Sequence, residues 1–178
     1  MRSLPLDIEG VVIIQTEPFH DERGWFLKLY SQEELRPQGL DLDVTQVAIS
    51  QNAQRGTLRG LHYQAPPHGE VKLVRCISGA VLDVVADVRP GSPTYLQWRT
   101  VELSEDSDGS LLIPVGVAHG FITLTEDARV LYLMSGSYEP SAARGVRYDD
   151  PALGIRWPID IAVINDRDMS FPYITPEY

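Results

Sequence analysis

Ala80-Val81-Leu82-Asp83-Val84-Val85-Ala86-Asp87-Val88-Arg89 is the stretch whose reading decides the fold. Ala80, Leu82, Val84, Ala86 and Val88 make one small apolar face, and Val81, Asp83, Val85, Asp87 and Arg89 make the other. A period of two is the spacing at which side chains alternate across a pleated strand, so the segment reads as β-structure. Arg89-Pro90-Gly91-Ser92-Pro93 closes it as a turn.

Outward from this strand, the same reading predicts β-segments at Gly10 to Thr16, Trp25 to Tyr30, Val44 to Ser50, Thr57 to Tyr63 and Val71 to Ile77. Others are predicted at Gln97 to Leu103, Ser110 to Ile113, Gly120 to Leu124 and Ala128 to Met134. Short strands punctuated by scattered glycine and proline predict an all-β sandwich or barrel. Only Ser31 to Arg36 reads as helical: Ser31 and Glu34 have capping-box spacing, and Pro37 stops the segment. That balance argues against an α/β layered fold, and no repeat of solenoid length is present.

The 178 residues suit a single domain over 1–178 with a full apolar core. Apolar runs such as Leu111 to Pro114 and Val130 to Met134 are far short of the ~20 residues of a membrane span. The N-terminus lacks the apolar core of a secretory signal, and the lone Cys76 has no partner for an internal disulfide, so a cytoplasmic protein is expected. Acidic residues outnumber Lys and Arg by 25 to 15, and the net charge of −10 repels polyanions, which argues against a nucleic-acid partner. A small anion would need cations clustered against that trend.

The chemistry-bearing segments begin with Gly56-Thr57-Leu58-Arg59-Gly60-Leu61-His62-Tyr63-Gln64, followed closely by His68, Glu70 and Lys72. Taken singly, His62 reads as a hydrogen-bonded structural histidine, and Arg59 and Lys72 as cations with stems along the surface. Ile113 to Phe121 reads as a turn that delivers His119 into a strand and matches the second cupin motif, Pro-x-Gly-x-x-His. The first cupin motif is broken: His-x-His is absent and His68-x-Glu70 is the nearest substitute, which argues against a metal. Tyr132 shares a strand face with Ala128, Val130 and Met134 and by periodicity alone is a core tyrosine. Asn165-Asp166-Arg167-Asp168 by itself is a polar loop. In Phe19 to Phe26, Arg23 stands beside Trp25 and Phe26, a surface hairpin able to clamp an anion next to a stacked ring.

Together, five motifs in order resemble the dTDP-4-dehydrorhamnose 3,5-epimerase family. They are Asp21-Glu22-Arg23-Gly24-x-Phe26, Leu58-Arg59-Gly60-Leu61-His62-Tyr63-Gln64, Lys72-Leu73-Val74, Pro114-x-Gly116-x-Ala118-His119-Gly120-Phe121 and Asp150-Pro151-x-x-x-Ile155-x-Trp157-Pro158. The resemblance implies a homodimeric cupin-type jelly-roll sandwich, without metal or other cofactor, acting on a nucleotide-linked 4-keto-6-deoxyhexose in the route to dTDP-L-rhamnose. It implies His62 as the base, Asp168 as its orienting carboxylate, Tyr132 as the acid and Lys72 as the active-site lysine. Arg23, Phe26, Lys28, Gln46, Arg59, His119, Tyr138 and Arg167 fall at positions implied to meet the substrate.

One difficulty is geometric. Arg59 and His62 are an odd number of positions apart, which sends them to opposite faces of a regular strand, unless a bulge at Gly60 or a partner subunit intervenes. Three departures from the family pattern lie in the implied binding periphery. Lys28 stands where many members carry glutamate, Ala48 in Gln46-Val47-Ala48 where Gln-x-Asn is frequent, and Ala143 in place of another glutamate. The alternatives are an epimerase acting at one carbon or on a related nucleotide sugar, a silent sugar-nucleotide binding module, and a metal-dependent cupin using His62, His68, Glu70 and His119.

Overall fold

The computed structural model describes residues 1–175; residues 176–178, included in the expected domain, lie outside the described residues. The strands are β1 (Arg2–Pro5), β2 (Val12–Gln15), β3 (Phe19–Asp21), β4 (Gly24–Phe26), β5 (Val44–Asn52), β6 (Leu58–Gln64) and β7 (Lys72–Ser78). They continue as β8 (Ala80–Asp87), β9 (Trp98–Ser104), β10 (Gly109–Ile113), β11 (Val117–Thr123), β12 (Ala128–Ser135) and β13 (Ala143–Gly145). Helical structure is limited to α1 (Gln32–Leu35), a 3-10 turn (Arg36–Gln38) and α2 (Asp166–Met169). A six-stranded sheet, β1-β2-β10-β7-β12-β5, faces a five-stranded one, β13-β6-β11-β8-β9; β3 and β4 form a separate ribbon. The pairings between these strands are antiparallel, and the two-sheet sandwich agrees with the expected all-β class. Among the described residues no helix is long and apolar enough to cross a membrane.

Strand β8 is covered on both faces. Val81 and Val85 point between the sheets, where they pack with Val74 and Cys76 of β7, Phe121 of β11 and Val130 of β12. Val84 and Ala86 point the other way, against Leu61, Val146 and Leu153, because residues from 146 onward fold back over that sheet. Leu35 and Leu42 similarly cover the outer face of the six-stranded sheet over Ile14, Leu73 and Leu112. Asp83 and Asp87 are therefore buried carboxylates, a result the alternating pattern alone did not distinguish from a solvated face.

Three local expectations are corrected. Ser31 and Glu34 form no capping box: the Ser31 side chain makes no cap bond, and the Glu34 carboxylate is occupied by Lys28 Nζ and the Met1 amine, each at 2.7 Å. The strand expected from Trp25 to Tyr30 ends at Phe26, since the chain leaves the ribbon so that Tyr30 packs under α1 and donates its hydroxyl to the Leu42 carbonyl. The polar stretch Asn165 to Asp168 starts the one-turn helix α2 rather than a plain loop, capped by Asn165 Oδ1 accepting from the Asp168 N–H at 2.7 Å.

A bulge where β6 meets β11 decides which side chains share a face. His62 pairs with His119 and Arg59 with Phe121, so three steps on β6 span two on β11. The extra residue turns Arg59 and His62 to the same side, which resolves the odd-spacing problem within one chain. It is possible because both strands carry glycine at the crossing. A Cβ on Gly60 would lie 2.5 Å from Gly120 Cα and 2.9 Å from the His119 carbonyl, and Gly60 has φ of +123°. A Cβ on Gly120 would lie 2.6 Å from the Arg59 carbonyl.

Two outcomes are expected. Gly60→Ala combines an unfavourable φ with a backbone collision and should cost about 2–4 kcal/mol, measured by urea denaturation, with loss of any activity that needs His62. Asp87 accepts from Arg89, Ser92 and Thr94 and lies well below the ordinary carboxylate value; burial pushes its pKa up, but those hydrogen bonds outweigh it. Its folded value is depressed, so its stabilisation is complete above the usual titration near 3.8 and declines as pH falls toward the folded value. Asp87→Asn should destabilise the turn after β8 by about 2–4 kcal/mol at pH 7 in the same measurement.

Candidate active site

At one end of the sandwich the inward face of the six-stranded sheet changes from apolar to polar. Along β7 the inward residues run from Cys76 and Val74 to Lys72, and along β12 from Ala128 and Val130 to Tyr132. A cavity of about 350 Å3 opens there, between the sheets, within the range of small-molecule sites. Lys72, Tyr132 and Gln46 enter it from the six-stranded sheet, and Arg59, His62 and His119 from the five-stranded one. Tyr138 and Arg167 complete the set of expected residues that line it.

His62 Nε2 lies 2.7 Å from Asp168 Oδ1, and the other carboxylate oxygen accepts from the Gly60 N–H at 2.9 Å. Asp168 is fully buried; burial alone pushes its pKa up, yet the hydrogen bonds from His62 and Gly60 hold it below the usual value. An ionised carboxylate on Nε2 fixes the ring and leaves Nδ1 without a protein partner among the described residues, so that nitrogen is the one able to accept a proton. The imidazole is 37 % exposed, open to the cavity, and packs T-shaped with the Phe171 ring at a centroid distance of 5.7 Å.

Tyr132 stands on the opposite sheet with its hydroxyl 3.3 Å from Ser50 Oγ. Burial pushes its pKa up to about 12, with the nearby Asp83 charge adding to the effect and the Ser50 hydrogen bond opposing it. The phenol is therefore fully protonated at neutral pH. Lys72 Nζ donates to the His62 carbonyl at 3.3 Å and pairs with Glu70 Oε1 at 3.0 Å. Arg59 bridges to the edge strand, its Nε donating to Asn52 Oδ1 at 2.6 Å.

His119 belongs to a second buried pair. Its Nε2 straddles the Asp83 carboxylate, 2.9 Å from Oδ1 and 3.0 Å from Oδ2, and the angle favours a hydrogen bond to Oδ2. Complete burial raises the Asp83 pKa while His119 pulls against it. The His119 ring meets Tyr132 edge-on at 6.4 Å.

Arg23, Phe26 and Lys28, also expected at the substrate, are elsewhere in this chain. Arg23 is 84 % exposed on the β3–β4 ribbon and bonded to Asp21. Phe26 and Lys28 line a separate hollow with Glu34. The short ribbon pairs with neither main sheet, and that is why its side chains fall outside the cavity. Of the departures from the family pattern, Ala143 lines the cavity and Ala48 pairs with Tyr132 across β5 and β12.

Sequence reasoning missed Arg144, Ser50 and Asp83 as members of the site. Asp83 stood in the alternating strand, but nothing in the pattern marked His119 as its partner across 36 residues. The set His62, His68, Glu70 and His119 does not converge: each of the two cavity histidines is committed to its own aspartate, Glu70 to Lys72, and His68 is exposed. Among the described residues no group of three or more His, Cys, Asp or Glu side chains is placed to hold a metal ion.

A family model described as dTDP-4-dehydrorhamnose 3,5-epimerase matches residues 5–175. A dTDP-4-dehydrorhamnose 3,5-epimerase of Sinorhizobium fredii is 42 % identical over 168 residues, 94 % of this chain and 86 % of that protein. A dTDP-4-dehydrorhamnose 3-epimerase of Streptomyces niveus is 40 % identical over 94 % of this chain and 81 % of its own length. The crystal structure of the Bacillus anthracis 3,5-epimerase with TDP and PPi bound superposes with a TM-score of 0.93 at 34 % identity, covering 97 % of this chain and 99 % of that one. Matches of that extent, on a chain whose cavity joins a carboxylate-held histidine, a buried phenol and a lysine, show that it belongs to the dTDP-4-dehydrorhamnose 3,5-epimerase family of cupin-like 4-keto-6-deoxy sugar epimerases.

Proposed function

We propose that the chain converts dTDP-4-dehydro-6-deoxy-glucose to dTDP-4-dehydro-L-rhamnose by inverting C3 and C5. The observation that carries this reading is the placement of His62 and Tyr132 on opposite sheets of one cavity. Both carbons are α to the C4 ketone, so each C–H bond can be broken if the electrons pass to the ketone oxygen as an enolate. His62 Nδ1 takes the proton, with Asp168 stabilising the imidazolium that forms. Lys72 donates to the developing oxyanion. Tyr132 returns a proton to the carbon from the other face, and the phenolate is reprotonated from solvent while His62 releases its proton to water. A donor with a pKa of about 12 is loaded at neutral pH and is a reasonable match to a carbon centre conjugated to an enolate.

The diphosphate requires cations in a chain of net charge −10. Arg59, Arg144 and Arg167 line the cavity and supply forked donors. His119 and Tyr138 are assigned to the sugar and Gln46 to the substrate periphery. Inversion at C3 alone is the second reading, favoured by the identity to a 3-epimerase. A buried lone Cys76 and the sugar-nucleotide substrate suit a cytoplasmic setting, and the whole sandwich is read as one domain.

A homodimer is part of the proposal. Phe19, Trp25 and Phe26 on the ribbon and Val47 and Ile49 on the edge strand β5 are each at least 60 % exposed, apolar side chains that a second copy would cover. The substrate contacts assigned to Arg23, Phe26 and Lys28 then require the ribbon of one copy to reach the cavity of its partner.

Incubation with dTDP-4-dehydro-6-deoxy-glucose in deuterated water should add two deuterons, at C3 and C5, read by mass spectrometry and NMR. Label at C3 alone establishes the single-centre reading, and no label rejects catalysis. His62→Ala should lower exchange by about 10²–10⁴-fold, the usual worth of a general base. Tyr132→Phe should keep wash-out of substrate hydrogen while losing inverted product. Sedimentation equilibrium should give a dimer; a monomer would leave Arg23, Phe26 and Lys28 without a role at the site.

A further inference from the structure

Glu70 precedes β7 and lines the cavity, yet proton transfer between His62, Tyr132 and the sugar gives it no part. Its side chain is 10 % exposed, as is that of Lys72. Both carboxylate oxygens are engaged: Oε1 faces Lys72 Nζ at 3.0 Å, and Oε2 accepts from Gln64 Nε2 at 3.5 Å. Gln64 is itself buried and tied to the segment that carries Tyr138, its Oε1 accepting from the Glu139 N–H at 2.9 Å. Lys72 also donates to the His62 carbonyl at 3.3 Å. A run of contacts therefore links β6, the segment around Tyr138, and the lysine.

The Lys72 ammonium sits between two partners: one N–H is donated to the His62 carbonyl, and the Glu70 carboxylate lies against it as an ion pair. The remaining N–H capacity is what it offers to a ligand. A four-carbon stem ending in a compact charge has many rotamers of similar energy, and a lysine held by one partner alone would sample them. An ion-pair partner on one side and a backbone acceptor on the other restrict that freedom and fix the direction of the ammonium. Glu70 also balances the lysine charge, so a substrate oxygen meets a directed hydrogen bond rather than a loose cation.

We propose that Glu70 is a positioning residue for Lys72: it brackets the ammonium against the His62 strand so that one N–H points at the substrate ketone oxygen. The assignment of that oxygen rests on the epimerase reading; the bracket itself does not.

The protein holds two lysines, Lys28 and Lys72, so 15N-lysine labelling gives two side-chain signals. An ordered, hydrogen-bonded Lys72 ammonium should give a slowly exchanging signal in the wild type that is lost in Glu70→Ala. Persistence of the signal in Glu70→Ala overturns the bracket. In the deuterium-exchange assay Glu70→Ala should lower kcat on the order of 10- to 100-fold with KM little changed, the scale of a misaligned catalytic donor. Glu70→Gln, which keeps an acceptor of the same reach, should recover most of the loss. In a Lys72→Ala background Glu70→Ala should cost nothing further, because its effect passes through the lysine. Multiplying losses in the double variant, or a wild-type kcat in Glu70→Ala, refutes the positioning role. A wild type that shows the Glu70-dependent signal but no solvent exchange refutes the epimerase reading and leaves the bracket standing.

Discussion

One buried carboxylate ties the backbone geometry of this protein to its chemistry. Asp168 accepts from the ring of His62 with one oxygen and from the N–H of Gly60 with the other, so the residue that orients the histidine also pins the bulge that turns the histidine inward. The bulge in turn exists because Gly60 and Gly120 let two strands approach with no side chain between them. Asp168 is delivered by a segment held at both ends: the Val163 carbonyl accepts from the Leu58 N–H at 2.8 Å, and the Ile174 N–H donates to Asp150 at 2.6 Å. Strand, bulge and return segment thus hold one another in register, and the carboxylate that orients His62 is itself fixed by them.

Around that centre the polar side chains of the cavity have fixed partners. Lys72 is matched by Glu70, His62 by Asp168 and His119 by Asp83, while Arg59 is bonded to an asparagine side chain and a backbone carbonyl. Burying a polar or charged group without such a partner is costly, so partnered groups are what a largely apolar sandwich can hold in fixed positions. Against the negative charge of the whole chain, Arg59, Arg144 and Arg167 gather at this one cavity. Net charge describes the surface at long range; a ligand at hydrogen-bond distance responds to the few groups that touch it.

Family members that are named for inversion at two carbons and at one carbon are similar to this chain to nearly the same degree. The cavity's histidine, phenol and lysine are compatible with the chemistry of either name. Gln46, Met134, Tyr138 and Ala143 form the part of the cavity wall beside those groups.

The residue pattern by itself was enough for the all-β class and for most strand positions, because alternation and turn residues act locally, while His62, Lys72, Tyr132 and Asp168 were singled out only through the ordered motifs shared with the family. Only the tertiary structure decided which faces of β8 are buried, since burial of Asp83 and Asp87 depends on segments far away that fold over both sheets. It alone placed Arg59 beside His62, paired Asp83 with His119, added Arg144 to the cavity, and set Arg23, Phe26 and Lys28 apart from it. Each of these depends on a register shift or a contact across tens of residues, and such relations arise when the sheets pack, not from the order of residues along one strand.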